Sequence, residues 1–213
     1  MTGPFCEPGR VHGNIIVNWR SHPIRDVVAF ATGYKNAALE LVASLERAHG
    51  YPDHRGYPIL FLFRHSLELY LKALTYRAAQ LYMLETELDM ALPRLWKEHS
   101  LPRLLETVRP ILAALDPNGV RGYRRVPEEV AEVIDAIDRL DPASYAFRYP
   151  VTSTGEAVLP HHLVVNVLVF GEMVQPVLDW LDGACTCLDE AFQITAEAKE
   201  AISQFMTRSP DAT

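Results

Sequence analysis

Three charged residues follow one another at four-residue steps in an apolar stretch, and a histidine adjoins the first: Arg64, His65, Glu68 and Lys72. A histidine can accept or donate a proton near neutral pH, and a carboxylate can orient it. Arginine and lysine can hold a phosphate through charge-assisted hydrogen bonds. These residue types therefore suit proton transfer beside a bound phosphate. The alternative is that the charged residues pair with one another along a solvated helix face, at about 0.3–0.5 kcal/mol a pair.

The helix that must carry these residues is apolar on nearly every side. On a helical wheel, two opposite faces hold apolar or small residues. They are Leu60, Phe63, Leu67, Tyr70, Leu71 and Leu74 on one face, and Leu62, Ser66, Leu69 and Ala73 on the other. The narrow sector that remains is charged, with His65 at its edge. Such a helix is predicted to be central, so its charged sector must face water in a cleft or polar partners inside the protein.

Helical periodicity continues along most of the chain, interrupted by glycine and proline. Ser100 is expected to cap the third helix, with Pro102 in its first turn, and Pro176 is expected to kink the fifth helix. The predicted helices span about 24–49, 57 to the mid-80s, 100–114, 127–141, 161–181 and 184–206.

This pattern predicts the all-α class, as an antiparallel helical bundle of about five to six helices. Residues 1–23, with many glycines and prolines, are interpreted as an irregular N-terminal arm. Residues 24–207 are interpreted as one helical domain, and 208–213 as a frayed tail. The loop before the fifth helix is expected to form a small hairpin around Gly155.

The bulk composition restricts the classes of function. With a net charge of −7, the chain is poorly suited to non-specific nucleic-acid binding, although a local basic groove remains compatible with it. No signal peptide is recognisable, and the longest apolar stretch is too short and too polar to span a bilayer. We expect a soluble, cytoplasmic protein without membrane contact. The three cysteines lack framework spacing, which indicates free thiols, and no metal or other cofactor is predicted.

Three segments resemble a bacterial branch of the HEPN superfamily. They are PILFLFRHSLELYLKAL (58–74), EHSLPRLLE (98–106) and DPASYAFRYPVTSTGE (141–156). They come in the expected order and extend from the second helix to the loop after the fourth. The resemblance implies an all-α, usually dimeric protein. Many members of the superfamily are metal-independent ribonucleases, and others are non-catalytic RNA-binding or partner-binding modules in toxin–antitoxin and antiviral systems.

The nuclease members resemble one another through an arginine and a histidine that are separated by four to six residues, often with a polar residue directly after the arginine. Arg64 and His65 match the opening of that motif, but positions 69–71 hold leucine and tyrosine where the histidine would come. A second stretch, from Arg94 to His99, has the required spacing. Because it lies beside a helix start, we interpret His99 first as part of the turn that precedes the third helix.

RNA cleavage without a metal needs a base for the 2′-hydroxyl, an acid for the leaving oxygen, and cations on the phosphate. We hypothesise that the groups suited to these roles come together from the second helix and the 141–150 loop in one polar cleft, within one chain or across a dimer interface. In it His65 or His99 would move the proton, Arg64, Lys72 or Arg148 would hold the phosphate, Glu68 would orient one of them, and Tyr149 would contact the substrate.

Three other features suggest weaker sites. Residues 121–125 form a basic patch around Tyr123, which is either a phosphate contact or an exposed turn. The pair at 161–162 cannot direct both histidines at one metal ion, because adjacent helical residues point about 100° apart. The aromatic residues of the 141–150 loop either stack on a ligand or fix the loop to the core.

The first function hypothesis is a HEPN-like candidate metal-independent ribonuclease or RNA-binding effector of a bacterial defence or toxin–antitoxin system. Its expected partners are a second copy of the chain, RNA, and a cognate antitoxin or defence-system subunit. The alternative is a non-catalytic HEPN interaction or scaffold protein whose charged residues are structural or lie at a dimer interface. A third hypothesis is a regulator that binds a small molecule or nucleotide.

Overall fold

The computed structural model describes residues 15, 27–47, 53–82, 92–159 and 162–207. Apart from the exposed Ile15, the predicted arm and tail lie outside these residues. The described part contains six α-helices and no named strand, which confirms the predicted all-α helical bundle. The helices are α1 (Val27–Arg47), α2 (Gly56–Tyr82), α3 (92–97), α4 (Leu101–Leu115), α5 (Glu128–Leu140) and α6 (Val167–Thr207), with a short 3-10 helix, Asp53–Arg55, before α2.

Helix α2 is the central helix, as its residue pattern predicts. It contacts α1, α4 and α6, and α5 packs against α4 and α6. One apolar cluster draws buried side chains from α1, α2, α4, α5 and α6. The fully buried side chains on α2 include Phe63, Leu67, Tyr70, Leu71 and Leu74. Because α2 is covered on several sides, the charged residues on it are carried into the interior of the bundle.

The C-terminal part of the chain corrects two sequence predictions. Helices were expected over 161–181 and 184–206, but a single helix, α6, runs through both. Pro176 does not end it, because Pro176 and Glu172 both lie on the exposed side, where water can bond the carbonyl that the proline leaves without a donor. Gly183 does not end it either, and the hydroxyl of Tyr123 lies where a Cβ at Gly183 would be.

The start of α6 also differs from the prediction. Residues 162–166 are not helical, and the helix begins at Val167. The side-chain oxygen of Asn166 accepts hydrogen bonds from the N–H groups of Leu168 and Val169, at 3.0 and 3.3 Å. Asn166 therefore caps the helix, since these are donors that have no partner inside the first turn.

The predicted hairpin around Gly155 is confirmed on a small scale. Val151 and Ala157 form an isolated antiparallel bridge, and Gly155 occupies the turn with a φ of 85°. That φ lies in the left-handed region, which glycine enters without steric penalty. The hairpin follows the loop that carries Arg148 and Tyr149.

Candidate functional site

The charged residues of α2 form a buried network. Arg64, Glu68 and Lys72 are exposed by 0, 2 and 3 % respectively. One carboxylate oxygen of Glu68 accepts a 2.7 Å hydrogen bond from Arg64, and the other accepts a 2.8 Å bond from Nζ of Lys72. Both pairs have the four-residue spacing seen in the sequence. The spacing therefore produces ion pairs, but they lie inside the protein and not on a solvated face.

Arg64 joins α2 to two other parts of the chain. Its Nε donates to the carbonyl of Asp141 at 2.9 Å, and its Nη2 donates to the carbonyl of His99 at 2.7 Å. The Asp141 carboxylate lies 3.4 Å from Nε through Oδ2. Its other oxygen accepts the N–H groups of Tyr145 and Ala146, at 2.6 and 2.9 Å. Arg64 thus fixes both the turn before α4 and the loop after α5 against the central helix.

Lys72 makes a similar connection about two turns farther along α2. Besides Glu68, its Nζ donates to the carbonyl of Trp96, at 3.1 Å. Burial alone would raise the pKa of Glu68. The hydrogen bonds and positive charges of Lys72 and Arg64 outweigh burial, and the pKa of Glu68 lies below its usual value. Glu68 is therefore ionised at neutral pH.

These contacts leave Arg64 and Lys72 no open face for a dissolved phosphate. The phosphate-holding role predicted for them needs an exposed guanidinium or ammonium group, whereas both side chains bond to groups of the protein. Breaking such a network destabilises the fold, because removing one partner leaves an unpaired charge in the interior. The sequence left open whether the charged sector of α2 faces water in a cleft or polar partners inside the protein. In this conformation it faces polar partners inside the protein.

His99 brings a titratable ring to the edge of this network. Its Nδ1 lies 2.9 Å from Oε1 of Glu68, and its side chain is 45 % exposed. No described residue forms a hydrogen bond with its Nε2. The backbone is also fixed, because the N–H of His99 donates to the Glu98 carboxylate and its carbonyl accepts from Arg64. One ring nitrogen is thus oriented by a buried carboxylate, while the other has no hydrogen-bond partner among the described residues, and a half-exposed ring of this kind suits acid–base catalysis.

The turn that carries His99 is not capped as the sequence predicted. Ser100 occupies the N-cap position of α4, but its hydroxyl makes no capping hydrogen bond. Glu98 accepts the N–H groups of His99 and Ser100, and Asp138 of α5 accepts the N–H of Leu101 at 2.9 Å. The N–H groups at the start of the helix are therefore bonded by these two carboxylates and not by the serine hydroxyl. The sequence did not predict this role for Asp138, because the residues near it in the chain give no sign that the end of α5 lies beside the start of α4.

Several exposed cations lie in the sequence around His99. Arg94 and Lys97 on α3 are exposed, and no described residue forms an ion pair with either. Arg103, in the first turn of α4, is 77 % exposed and lies 3.6 Å from the Glu98 carboxylate. This region therefore offers positive charge to solvent on an otherwise acidic chain.

His65 lies in a different environment from His99. Its ring stacks on Phe61, with centroids 5.3 Å apart, and meets the edge of Tyr34 at 4.8 Å. The pKa of His65 lies below its usual value mainly because the ring is buried; Glu68 raises this pKa, whereas the positive charges of Arg148, Arg64 and Lys72 lower it. His65 is therefore a neutral, half-buried ring in an aromatic stack.

Arg148 and Tyr149 belong to the same aromatic surface as His65. The guanidinium carbon of Arg148 lies 5.8 Å from the ring centres of Phe61 and Tyr149. The predicted single cleft, which would combine Arg64, His65 and Arg148, does not form within one chain. Arg64 points into the buried network while His65 and Arg148 meet at Phe61, because neighbouring residues on a helix point about 100° apart.

The remaining sequence candidates have structural surroundings. In the 121–125 patch, the N–H groups of Arg121 and Tyr123 donate to the Asp116 carboxylate, and Arg121 pairs with Glu190 at 3.1 Å. His162 is exposed, and the residue before it lies outside the described part. Within the described ranges there is no group of three or more residues suited to hold a metal ion. No described helix is long and apolar enough to cross a membrane.

Comparison with known proteins leaves the geometry as the main guide to function. No protein-family model, no curated protein and no solved structure matches this chain. The resemblance to HEPN proteins therefore depends on the three sequence segments. Two of these segments supply the groups that meet at Glu68 and His99, and the third supplies Asp141 and Arg148.

Proposed function

We propose that this protein is a metal-independent ribonuclease of the HEPN kind, with His99 as its acid–base residue. The observation that carries the proposal is the 2.9 Å contact between Nδ1 of the half-exposed His99 and the buried Glu68 carboxylate. A carboxylate in this position selects the ring tautomer and stabilises the imidazolium that forms when Nε2 takes a proton. The spacing from Arg94 to His99 also matches the arginine-to-histidine motif of the nuclease members.

The reaction follows from the open Nε2. In the first step Nε2 of neutral His99 takes the proton of an RNA 2′-hydroxyl, and the 2′-oxygen attacks the adjacent phosphorus. The bond from phosphorus to the 5′-oxygen breaks, and a 2′,3′-cyclic phosphate remains. The 5′-oxygen leaves as a hydroxyl after taking a proton from water, which regains one from the His99 imidazolium.

The network on α2 has a supporting role in this proposal. Arg64 and Lys72 hold Glu68 in its ionised form, so they act through Glu68 and not on the phosphate. The exposed Arg94 and Lys97 supply the positive charge for the RNA backbone instead. His65 is left out of the reaction, because burial and its cationic neighbours favour its neutral form and Glu68 does not contact its ring.

The HEPN resemblance also supplies the expected setting. We propose a cytoplasmic homodimer that acts in a bacterial defence or toxin–antitoxin system, with a cognate antitoxin or defence-system subunit as partner. Light scattering across a range of protein concentrations tests the dimer. A constant mass of one chain at every concentration would remove that part of the proposal without affecting the role of His99.

A non-catalytic HEPN interaction protein is the second candidate. The burial of Arg64, Glu68 and Lys72 favours it, since a network saturated with protein partners can serve the fold alone. In that case His99 completes the hydrogen bonding of Glu68 and has no reaction to perform. The two candidates differ in whether His99 is needed for cleavage of RNA.

The experiment uses the full chain, mixed-sequence RNA and an excess of EDTA. We compare the wild type with His99→Ala and with the control His54→Ala, which removes another exposed histidine. We expect the wild type to cleave in EDTA, His54→Ala to match it, and His99→Ala to be slower by about a hundredfold or more. Equal cleavage by His99→Ala would refute the assignment, and absence of cleavage by all three proteins would favour the interaction protein.

A further inference from the structure

A groove of about 490 Å³ lies between α5 and α6, which pack against each other. Its floor is apolar, because Val130 and Val133 of α5 and Val177 of α6 are buried there. Several of the other residues that line it are exposed. No residue of the network around Glu68 lines the groove, so it is separate from the proposed site at His99.

Apolar side chains of α6 form a stripe along the groove. Met173, Pro176 and Trp180 line the groove, and Val169 lies about one helical turn before Met173. Their successive spacing of four, three and four residues places all four on one face of the helix. Met173 is 53 % exposed and Val169 is 46 % exposed, so the described residues leave this face open. The stripe is about 17 Å long, or about three helical turns.

The rim of the groove is negatively charged. Its charged side chains are Glu129 and Glu132 of α5 and Glu172 of α6, and all three are exposed. No described residue forms an ion pair with any of them, and the described residues that line the groove include no arginine or lysine. Three such carboxylates around an apolar floor repel nucleic acid and anionic membranes. They attract a protein surface on which lysine or arginine flanks apolar residues.

Trp180 and Met173 give the stripe the residue types that protein interfaces use. The ring of Trp180 packs on Tyr123, with ring centres 5.5 Å apart, so its position is fixed before a partner arrives. No described residue accepts a hydrogen bond from its indole N–H, which leaves that donor for a partner. Tryptophan and methionine are enriched at protein interfaces, where a fixed ring serves as an anchor and a flexible thioether adapts to the opposing surface.

We propose that this groove binds a basic amphipathic helix of a partner protein, with its apolar side chains on the α6 stripe and its lysines or arginines at the glutamate rim. Two packed helices leave a groove into which a third helix fits, and the stripe has the spacing of a helix-pairing seam. Every lining residue except Pro127 belongs to α5 or α6, so the groove offers no strand edge to an extended segment. The same face of a second copy would bring glutamates against glutamates.

The test measures binding of labelled synthetic peptides to the full chain by fluorescence anisotropy. The first peptide has about eighteen residues, with leucine at the heptad positions and lysine on both flanks. The second carries glutamate in place of lysine, and the third has the composition of the first without the heptad order. We expect the first to bind at least about tenfold more tightly than either of the others. Met173→Ser, at an exposed position, should weaken that binding by about fivefold or more.

Reversing the charge of the rim gives the sharpest comparison. Glu129→Lys/Glu132→Lys should weaken binding of the lysine peptide by about tenfold or more and strengthen binding of the glutamate peptide. The control Glu197→Lys/Glu200→Lys makes the same change in net charge, at the same spacing, on an exposed part of α6. It should stay within about twofold of the wild type for both peptides. Circular dichroism checks that each variant is folded.

The proposal is overturned if the lysine peptide does not bind, if the three peptides bind equally, or if the two double variants have the same effect. It is also overturned if light scattering shows a dimer that Met173→Ser dissociates, because the stripe would then belong to a second copy of the chain. Peptide binding needs no RNA cleavage, so the result for His99→Ala has no bearing on this test.

Discussion

Nδ1 of His99 and Nζ of Lys72 meet the same carboxylate oxygen, Oε1 of Glu68, at 2.9 and 2.8 Å. The second oxygen of Glu68 is bonded to Arg64. Glu68 is therefore the point where the buried cations of α2 and the half-exposed histidine are coupled. Because of this coupling, changes at Glu68 should affect both the stability of the bundle and the proposed chemistry of His99, whereas changes at His99 should affect the chemistry alone.

Replacing Glu68 with glutamine should destabilise the protein strongly. The neutral amide leaves the charges of Arg64 and Lys72 without a counterion in the interior, and we expect a loss of about 3–5 kcal/mol in the free energy of unfolding. Urea unfolding followed by circular dichroism measures it. Glu106→Gln, at a carboxylate that is 69 % exposed, is the control and should change stability by less than about 0.5 kcal/mol. Similar midpoints for both variants would contradict the role of the buried network.

Lysine should not replace Arg64. The arginine donates to Glu68, to the carbonyl of His99 and to the carbonyl of Asp141 from three nitrogens in one plane. A single ammonium group cannot reach all three acceptors, so Arg64→Lys should lose about 2 kcal/mol. Arg103→Lys, at a largely exposed site, should be neutral. Equal unfolding free energies for the two variants would show that the fork geometry of Arg64 is unimportant.

His65 should make stability fall in mild acid. Its pKa is lowered from 6.5 by burial and by Arg148, Arg64 and Lys72, although Glu68 opposes them. Below pH 6.5 His65 takes up a proton in the unfolded chain but stays neutral in the folded protein. The free energy of unfolding therefore decreases as the pH falls from 6.5 toward the folded pKa of His65. Above pH 6.5 His65 makes no pH-dependent contribution to it.

The variant His65→Phe keeps a ring between Tyr34 and Phe61 and should flatten that dependence. The measurement is the free energy of unfolding at several pH values from about neutral down to 5, which stays above the titration of Glu68. His54→Phe, at an exposed position, should retain the wild-type slope. An unchanged slope in His65→Phe would contradict the lowered pKa of His65.

Asp138 should stabilise the start of α4 from a neighbouring helix. Its carboxylate accepts the N–H of Leu101, the first residue of the helix, at 2.9 Å, so it satisfies one of the donors that have no partner inside the first turn. We expect Asp138→Ala to cost about 1 kcal/mol in thermal or urea unfolding. Asp135→Ala, on the same helix at an exposed position, is the matched control. If the control loses as much as Asp138→Ala, a general charge effect on α5 explains both results.

Substitutions at Gly183 and Tyr123 should have strongly non-additive effects on the free energy of unfolding. In a helix interior, alanine is favoured over glycine by about 1 kcal/mol, so Gly183→Ala would stabilise α6 if the added carbon had room. The Tyr123 hydroxyl occupies that space, and we therefore expect Gly183→Ala to destabilise the wild type. In a Tyr123→Phe background the same substitution should be neutral or stabilising. A double-mutant cycle measures the difference, and simple additivity would contradict the steric explanation.

The sequence by itself determined the class of fold and the central helix. Apolar residues at helical spacing surround α2, and burying that surface requires other helices on several sides. The same spacing set Arg64, Glu68 and Lys72 side by side, so their pairing was predictable. The continuity of α6 through Gly183 was not predictable, because the space beside Gly183 is filled by Tyr123, a residue far away in the sequence.

Tertiary structure decided where the charged residues face and which histidine joins them. Local spacing gives the side of α2 that is charged, but only packing shows that α3, the turn at His99 and the loop at Asp141 cover it. The contact between Glu68 and His99 joins residues 31 positions apart, and the contact between Arg64 and Asp141 joins residues 77 positions apart. Periodicity within one helix carries no information on contacts at such separations, because they depend on how the helices pack together.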